Sequence, residues 1–133
     1  MNEKIYPSLK IYLDKSPIHG IGVFASQPIK TGEIIEVCPV VDLGMSPNEL
    51  SHILIHYRFN WPQGTNPEKQ VVPVGFGMMY NHSNTPNATW RSNFENTSFE
   101  FYAVKDINPG EEIFVWYGDE NYWSDGRQTT VVI

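Results

Sequence analysis

Short stretches of alternating apolar and polar residues, interrupted by glycine and proline, set the strongest limit on how this chain folds. Such alternation turns successive side chains toward opposite faces of a strand. Strands are predicted in this way at Leu9–Leu13, Gly22–Ala25, Glu33–Leu43, Val71–Val74, Phe76–Tyr80, Ala88–Trp90, Phe99–Val104 and Ile113–Trp116. Many short strands with frequent turns predict a mainly β barrel or clip.

One short helix is also predicted. Ser46-Pro47-Asn48-Glu49 has the pattern of a capping box with proline at the first helical position. The helix is expected to run from Pro47 to about His56, and a turn-rich loop follows from Trp61 to Pro67.

A spaced pattern occurs twice in the chain. Phe24-Ala25, Ile29 and Gly32-Glu33 recur at the same spacing as Tyr102-Ala103, Ile107 and Gly110-Glu111. Two tight turns between strands can share Gly-Glu because glycine supplies a positive φ angle. The matching aromatic, alanine and isoleucine positions favour a duplicated β-unit as the alternative.

Length and charge narrow the functional classes. The chain has 133 residues, so residues 1–133 are expected to form a single domain. Lys and Arg total 9 against 15 Asp and Glu, a formal net charge of -6, and basic residues do not cluster. Direct nucleic-acid binding is therefore disfavoured. An acidic surface suits a basic peptide partner, although ordinary solubility calls for the same charge.

Several other classes of protein and site lack support in the sequence. No stretch has the apolar length of a signal peptide or a membrane span, so the chain is expected to be intracellular, soluble and not secreted. The single cysteine, Cys38, is predicted to be a buried strand residue. His52 and His56 stand four apart, but Ile53 replaces the glutamate of a zinc protease, so no metal site is predicted.

Three segments are candidates for chemistry, and each also has a structural interpretation. Gly20-Ile21-Gly22 lets backbone amides approach a charged ligand, or is a simple turn. Tyr80–Asn87 concentrates polar groups suited to a purine edge, or forms an Asx turn. Gly110–Gly118 is a strand that delivers Tyr117, which is either functional or a packed aromatic.

Taken in order, these motifs resemble those of the SET-domain lysine methyltransferases. The motifs are Gly-x-Gly-Val-Phe, Asn-His-Ser-x-x-Pro-Asn and Gly-Glu-Glu-Ile-x-x-x-Tyr-Gly, and the likeness spans residues 11–123, most similar to the minimal stand-alone SET proteins of viruses and bacteria. The resemblance implies a β-clip with short helices and a C-terminal pseudoknot. In that pseudoknot, the segment before the tyrosine passes beneath the Asn-His-Ser segment. No pre-SET module or zinc-binding post-SET module is expected, since the cysteine-rich tail is missing and Asn84 replaces a common cysteine.

The resemblance also implies roles for individual residues. Tyr117 would be catalytic, at the base of a narrow channel in which the methyl donor S-adenosylmethionine meets a lysine amine. Asn81 and His82 would contact the amino group and the adenine of the donor. The further cofactor contacts are Gly20, Ile21, Gly22, Tyr80, Tyr122 and Trp123, with the last two covering the adenine in place of a zinc lid. The channel walls are Tyr57, Trp90 and Val115.

The resulting expectation is a protein-lysine N-methyltransferase that needs no metal and acts on a basic protein, such as a histone tail. A non-catalytic module of the same fold, which binds a peptide or S-adenosylmethionine without turnover, is the main alternative. A purely structural β-clip is a further one. A homodimer is compatible with such a minimal domain.

Overall fold

Nine short strands in two sheets build the part of the chain that the computed structural model describes, residues 4–64 and 67–117. The strands are β1 (Ile11–Lys15), β2 (Ile21–Ala25), β3 (Ile34–Asp42), β4 (Phe59–Trp61), β5 (Lys69–Pro73), β6 (Asn81–His82), β7 (Ala88–Asn93), β8 (Ser98–Ala103) and β9 (Glu112–Val115). One sheet has the order β1-β2-β9-β6 and the other β4-β5-β3-β8-β7. The predicted mainly β fold is confirmed.

Alternation along the strands supplies the core. Phe99, Phe101 and Ala103 on β8 are buried, and so are Ile113 and Val115 on β9. Fully burying a phenylalanine, isoleucine or valine side chain stabilises the fold by about 1.5 to 3 kcal/mol. Cys38 on β3 is also fully buried, as predicted, and burial raises the pKa of its thiol far above the usual range. The thiol is therefore a packing group.

The duplicated pattern corresponds to two segments that pair with each other. Ile29 and Ile107 exchange backbone hydrogen bonds of 2.9 and 2.8 Å. The Ala25 N–H donates to the Glu111 carbonyl, and the Ala103 N–H donates to the Glu33 carbonyl, both at 3.0 Å. Gly32 and Gly110 both have positive φ angles, 87° and 84°. Each of these backbone hydrogen bonds donated by the first unit to the second is therefore matched by one that the second unit donates to the first.

The predicted helix from Pro47 to His56 is wrong. The structure has two separate 3-10 turns, Pro47–Glu49 and Leu54–His56, and Leu50 between them has an extended backbone. Glu49 does accept the Ser46 N–H at 2.9 Å, as a capping box requires. Neither turn buries a residue, so no packing energy supports a longer helix. No helix in the described residues is long or apolar enough to cross a bilayer.

The predicted strand Phe76–Tyr80 is also wrong. Residues 74–78 form turns, and the Met79 N–H donates to the Phe76 carbonyl at 2.9 Å. Gly75 has a φ of 95°, which a strand residue does not adopt. Two short strands, β4 and β6, were not predicted. The other predicted strands agree with the structure to within two residues at each end, apart from the later end of β7.

Candidate active site

A parallel pair of short strands brings two of the predicted motifs together. Strand β6 pairs with β9 so that Asn81 lies opposite Phe114 and His82 opposite Val115. Asn87 reinforces this pairing: its amide donates to the Glu112 carbonyl at 3.0 Å and accepts the Phe114 N–H at 2.8 Å. The end of β9, and with it Tyr117, is therefore held against the Asn-His-Ser segment.

The Tyr117 hydroxyl is fixed by a backbone group of the neighbouring segment. It donates to the Tyr80 carbonyl at 2.6 Å. The Tyr117 N–H donates to His82 Nδ1 at 2.9 Å, and the two rings lie 5.2 Å apart. Tyr117 as a residue is partly exposed, and its hydroxyl has a defined direction.

His82 uses both ring nitrogens inside the protein. Nδ1 accepts from Tyr117, so Nε2 carries the hydrogen that faces Asn84 Oδ1 at 3.1 Å. Burial lowers the pKa of His82, and the Asn84 hydrogen bond partly offsets that effect. The neutral ring is the form that fits this arrangement, and any contact of His82 with an adenine would use its backbone.

A carboxylate lies behind the Gly-x-Gly turn. Glu112 accepts the Ser16 hydroxyl at 2.8 Å and the Asn81 amide at 2.9 Å. A side chain at Gly22 would overlap the Glu112 carboxylate, which explains the glycine there. The Asn81 amide also donates to the His19 carbonyl at 2.9 Å. The turn, β6 and β9 are thereby joined through partly buried hydrogen bonds.

These residues fit a ligand that carries an ammonium group. Gly20 has a φ of 50° with open space at its side-chain position, and residues 19–21 are exposed. Asn81 has committed both amide hydrogens, which leaves its Oδ1 as the acceptor. An acceptor is what an ammonium group needs, and the Glu112 carboxylate adds negative charge nearby.

Comparison with known proteins agrees with this geometry. The sequence profile of the SET domain matches residues 20–118. The chain belongs to the SET-domain family. It is 32% identical, over 109 residues, to the Schizosaccharomyces pombe histone-lysine N-methyltransferase specific for H3 lysine-37. The aligned region covers 80% of this chain and 71% of that protein.

Solved structures give the same result. A Plasmodium falciparum protein assigned as a histone methyltransferase superposes with a TM-score of 0.68 at 31% identity, over 90% of this SET domain and 99% of that chain. A structure of an active polycomb repressive complex 2 in the basal state gives a TM-score of 0.66 at 25% identity, over 82% of this chain and 15% of that one. Family and relatives together support protein-lysine methylation, with S-adenosylmethionine as the methyl donor of SET methyltransferases.

The Tyr80 side chain of this SET domain contacts Glu36 on β3 and Phe101 on β8. It is 2% exposed, and its hydroxyl donates to Glu36 Oε1 at 2.7 Å. Any contact of Tyr80 with a cofactor would therefore be made by its backbone.

The three predicted channel residues lie on separate elements. Tyr57 follows the second 3-10 turn and is exposed, whereas Trp90 on β7 packs against Phe59 at a ring distance of 5.1 Å. Val115 on β9 is buried, with 1% of its surface exposed. The channel assignments of Tyr57, Trp90 and Val115 all stay predictions.

Some predicted site residues fall outside the described part of the chain. These are Tyr122 and Trp123, together with Gly118 of the last motif. Within residues 4–64 and 67–117, no three His, Cys, Asp or Glu side chains are arranged to hold a metal ion. The His52 and His56 rings lie 5.5 Å apart in an edge contact.

Sequence reasoning missed three polar residues that build the site. Ser16 and Glu112 support the Gly-x-Gly turn, and Asn87 binds β9. Glu112 and Asn87 stand inside the quoted motifs, so a signal was available. Ser16 had none, because one serine before a proline is an ordinary turn residue.

Proposed function

We propose that this SET domain transfers the methyl group of S-adenosylmethionine to the side-chain amine of lysine in a basic protein, a histone tail being the leading candidate. Tyr117 is the catalytic residue. The backbone of Gly20 to Gly22 and the amide oxygen of Asn81 hold the amino-acid end of the donor.

The observation that carries this proposal is the fixed Tyr117 hydroxyl. A phenolic oxygen that donates its own O–H, as Tyr117 does to the Tyr80 carbonyl, can accept an N–H of the incoming amine. That contact would turn the nitrogen lone pair toward the donor. Positioning of this kind accounts for several kcal/mol of a displacement barrier.

Proton removal is the second requirement. A lysine with a pKa near 10.4 reaches its neutral form at pH 7 at a cost of roughly 4 to 5 kcal/mol. When bound, S-adenosylmethionine supplies an electrophilic methyl group on a positively charged sulfonium. A partly buried site and a neighbouring positive charge both lower the pKa of an amine.

The substrate class is supported by charge and by a relative. The chain has a formal net charge of -6, which favours a Lys- and Arg-rich partner. The S. pombe relative carries histone H3 in its name. A histone tail therefore comes first among basic substrates to test.

Labelled methyl transfer to core histones tests the proposal, with Tyr117→Phe as the active-site variant. We expect wild-type protein to label a histone, and Tyr117→Phe to lower the rate by about 10²-fold or more while cofactor affinity is retained. Tyr12→Phe, which removes a hydroxyl from an exposed tyrosine on β1, is the matched control and should keep full activity. Cofactor binding by calorimetry without transfer to histones or to any lysate protein would favour the binding module instead.

A further inference from the structure

A carboxylate is buried in the middle of β3. Glu36 is 8% exposed and follows Ile34 and Ile35 in an apolar run. It accepts the Tyr80 hydroxyl at 2.7 Å and the Phe76 N–H at 3.3 Å. Burial raises the pKa of Glu36, against the effect of these hydrogen bonds. Such a group is costly to bury unless its partners are in place.

Tyr80, which donates to this carboxylate, is fixed by contacts of its ring, its hydroxyl and its backbone. The Tyr80 ring stacks on Phe101 with centroids 4.7 Å apart and an interplanar angle of 18°. Its hydroxyl is bound to β3, and its backbone leads directly into β6. The Tyr80 carbonyl is the acceptor of the Tyr117 hydroxyl at 2.6 Å.

Packing alone does not require this pair. A phenylalanine at position 80 with an aliphatic residue at position 36 would fill similar space without a buried carboxylate. The pair instead fixes the orientation of Tyr80. The hydrogen bond from its hydroxyl to Glu36 restrains the side chain, and with it the backbone carbonyl of the same residue.

We propose that Glu36 and the Tyr80 hydroxyl are positioning residues for methyl transfer, which set the Tyr80 carbonyl and through it the Tyr117 hydroxyl. This inference rests on the proposed function of Tyr117. It assigns a role to two side chains that no motif of the resemblance includes.

A double-mutant cycle tests the proposal. Tyr80→Phe is expected to lower kcat about five- to tenfold, as one lost positioning hydrogen bond would. The KM values for S-adenosylmethionine and a histone peptide should stay within about twofold. In a Tyr117→Phe background the same change should lower kcat no further, because Tyr80 acts through the missing hydroxyl. Equal losses in both backgrounds would mean a general structural effect and would overturn the proposal.

Glu36 is tested by two substitutions. Glu36→Gln keeps a carbonyl oxygen as acceptor for the Tyr80 hydroxyl, so it should retain more activity than Glu36→Leu. Thermal unfolding of each variant shows whether it is folded, and Tyr12→Phe again serves as control. A Glu36→Leu protein that folds and is as active as Glu36→Gln would overturn the role of Glu36.

A spectroscopic readout separates this inference from the proposed function. Selective ¹³Cζ labelling of tyrosine reports on the hydrogen bond of the Tyr117 hydroxyl by NMR. Its resonance should shift in Tyr80→Phe and in Glu36→Leu and stay in place in Tyr12→Phe. If wild-type protein transfers no methyl group, the proposed function fails, yet the shift still shows whether the pair orients Tyr117. An unchanged resonance in folded variants overturns the inference.

Discussion

Among single residues, His82 has to keep one ring nitrogen unprotonated for its hydrogen bond to the Tyr117 backbone to persist. Nδ1 accepts the Tyr117 N–H, and a proton there would set two donors against each other. Burial lowers the pKa of His82, which favours the neutral ring near neutral pH. The position of Tyr117 is thereby linked to the protonation of its neighbour.

The free energy of unfolding is expected to depend on pH through His82. Its pKa is lower in the folded chain than the value near 6.5 of an unfolded one, so the unfolded chain binds more protons between the two values. The stabilising contribution is complete above about pH 6.5 and is lost as the pH falls through the folded-state pKa. Urea unfolding between about pH 8 and pH 5 should show this loss.

Variants isolate the contribution of His82. The difference between wild type and His82→Gln removes the effect of Glu36, whose pKa is raised by burial and which is present in both proteins. Asn48→Ala, at an exposed position without a titratable group, is the control substitution and should leave the wild-type profile unchanged. Parallel pH profiles for wild type and His82→Gln would contradict the prediction.

Residue roles were predictable from the sequence only in part. The order of the motifs was enough to place Asn81, His82 and Tyr117 in one site, and the structure brings them together. The atoms they use were not predictable, because a hydrogen-bond partner on a distant strand leaves no local trace. Glu36 is the exception that a closer look could have found, since a lone acidic residue in an apolar strand calls for a buried partner.

At the scale of elements, one asparagine side chain holds β9 in place. Asn87 satisfies both the Phe114 N–H and the Glu112 carbonyl, on a strand that pairs with β2 and β6 through few residues. Strands this short gain little from their own ladders. The position of β9 therefore depends on a side chain from the loop before β7.

Asn87→Ala is expected to destabilise the fold by about 2 to 4 kcal/mol, since two hydrogen bonds are lost and two partly buried backbone groups are left without them. Hydrogen exchange of the Phe114 amide should accelerate in step with that loss. Asn48→Ala, at an exposed position of the first 3-10 turn, should leave both values unchanged. Wild-type exchange at Phe114 in the Asn87 variant would rule out this role.

Elements were predictable where the pattern is local. Strands β2, β3 and β8 alternate clearly and were found, whereas β4 and β6 have three and two residues and exist only because partner strands bind them. The predicted length of the helix from Pro47 to His56 is too great because a local signal lacks the packing partners that a longer helix needs. Its capping signal is real, but no apolar face of Pro47–His56 is buried to support more than single turns.

At the scale of the whole molecule, the two repeated units are interlocked. The first strand of one unit pairs with the second strand of the other, β2 with β9 and β3 with β8. The Ile29–Ile107 bridge lies where the two units meet, and both isoleucines are 1% exposed. The sequence repeat was visible, but which strand pairs with which was not, because equal spacing does not specify a partner.

Ile29→Ala and Ile107→Ala are expected to destabilise the fold by similar amounts, each about 2 to 5 kcal/mol, because each leaves a cavity in an equivalent, fully buried position. Urea unfolding measures both. Ile53→Ala removes the same atoms from a side chain that is 71% exposed and should cost less than about 0.5 kcal/mol. A large loss for one core isoleucine and none for the other would mean that the units are not equivalent.

The pairing of β2 with β9 and of β3 with β8 also determines when the candidate site can form during synthesis. Val23 pairs with Ile113 and Ile34 with Tyr102, so these two ladders join segments that are far apart in the chain. Contacts of this kind are slow to form because a long loop must first be closed. On the ribosome, the Gly-x-Gly turn emerges well before β9. A nascent chain stopped before β9 has neither Tyr117 nor Glu112, whose carboxylate is hydrogen-bonded to Ser16 and Asn81 behind the Gly-x-Gly turn.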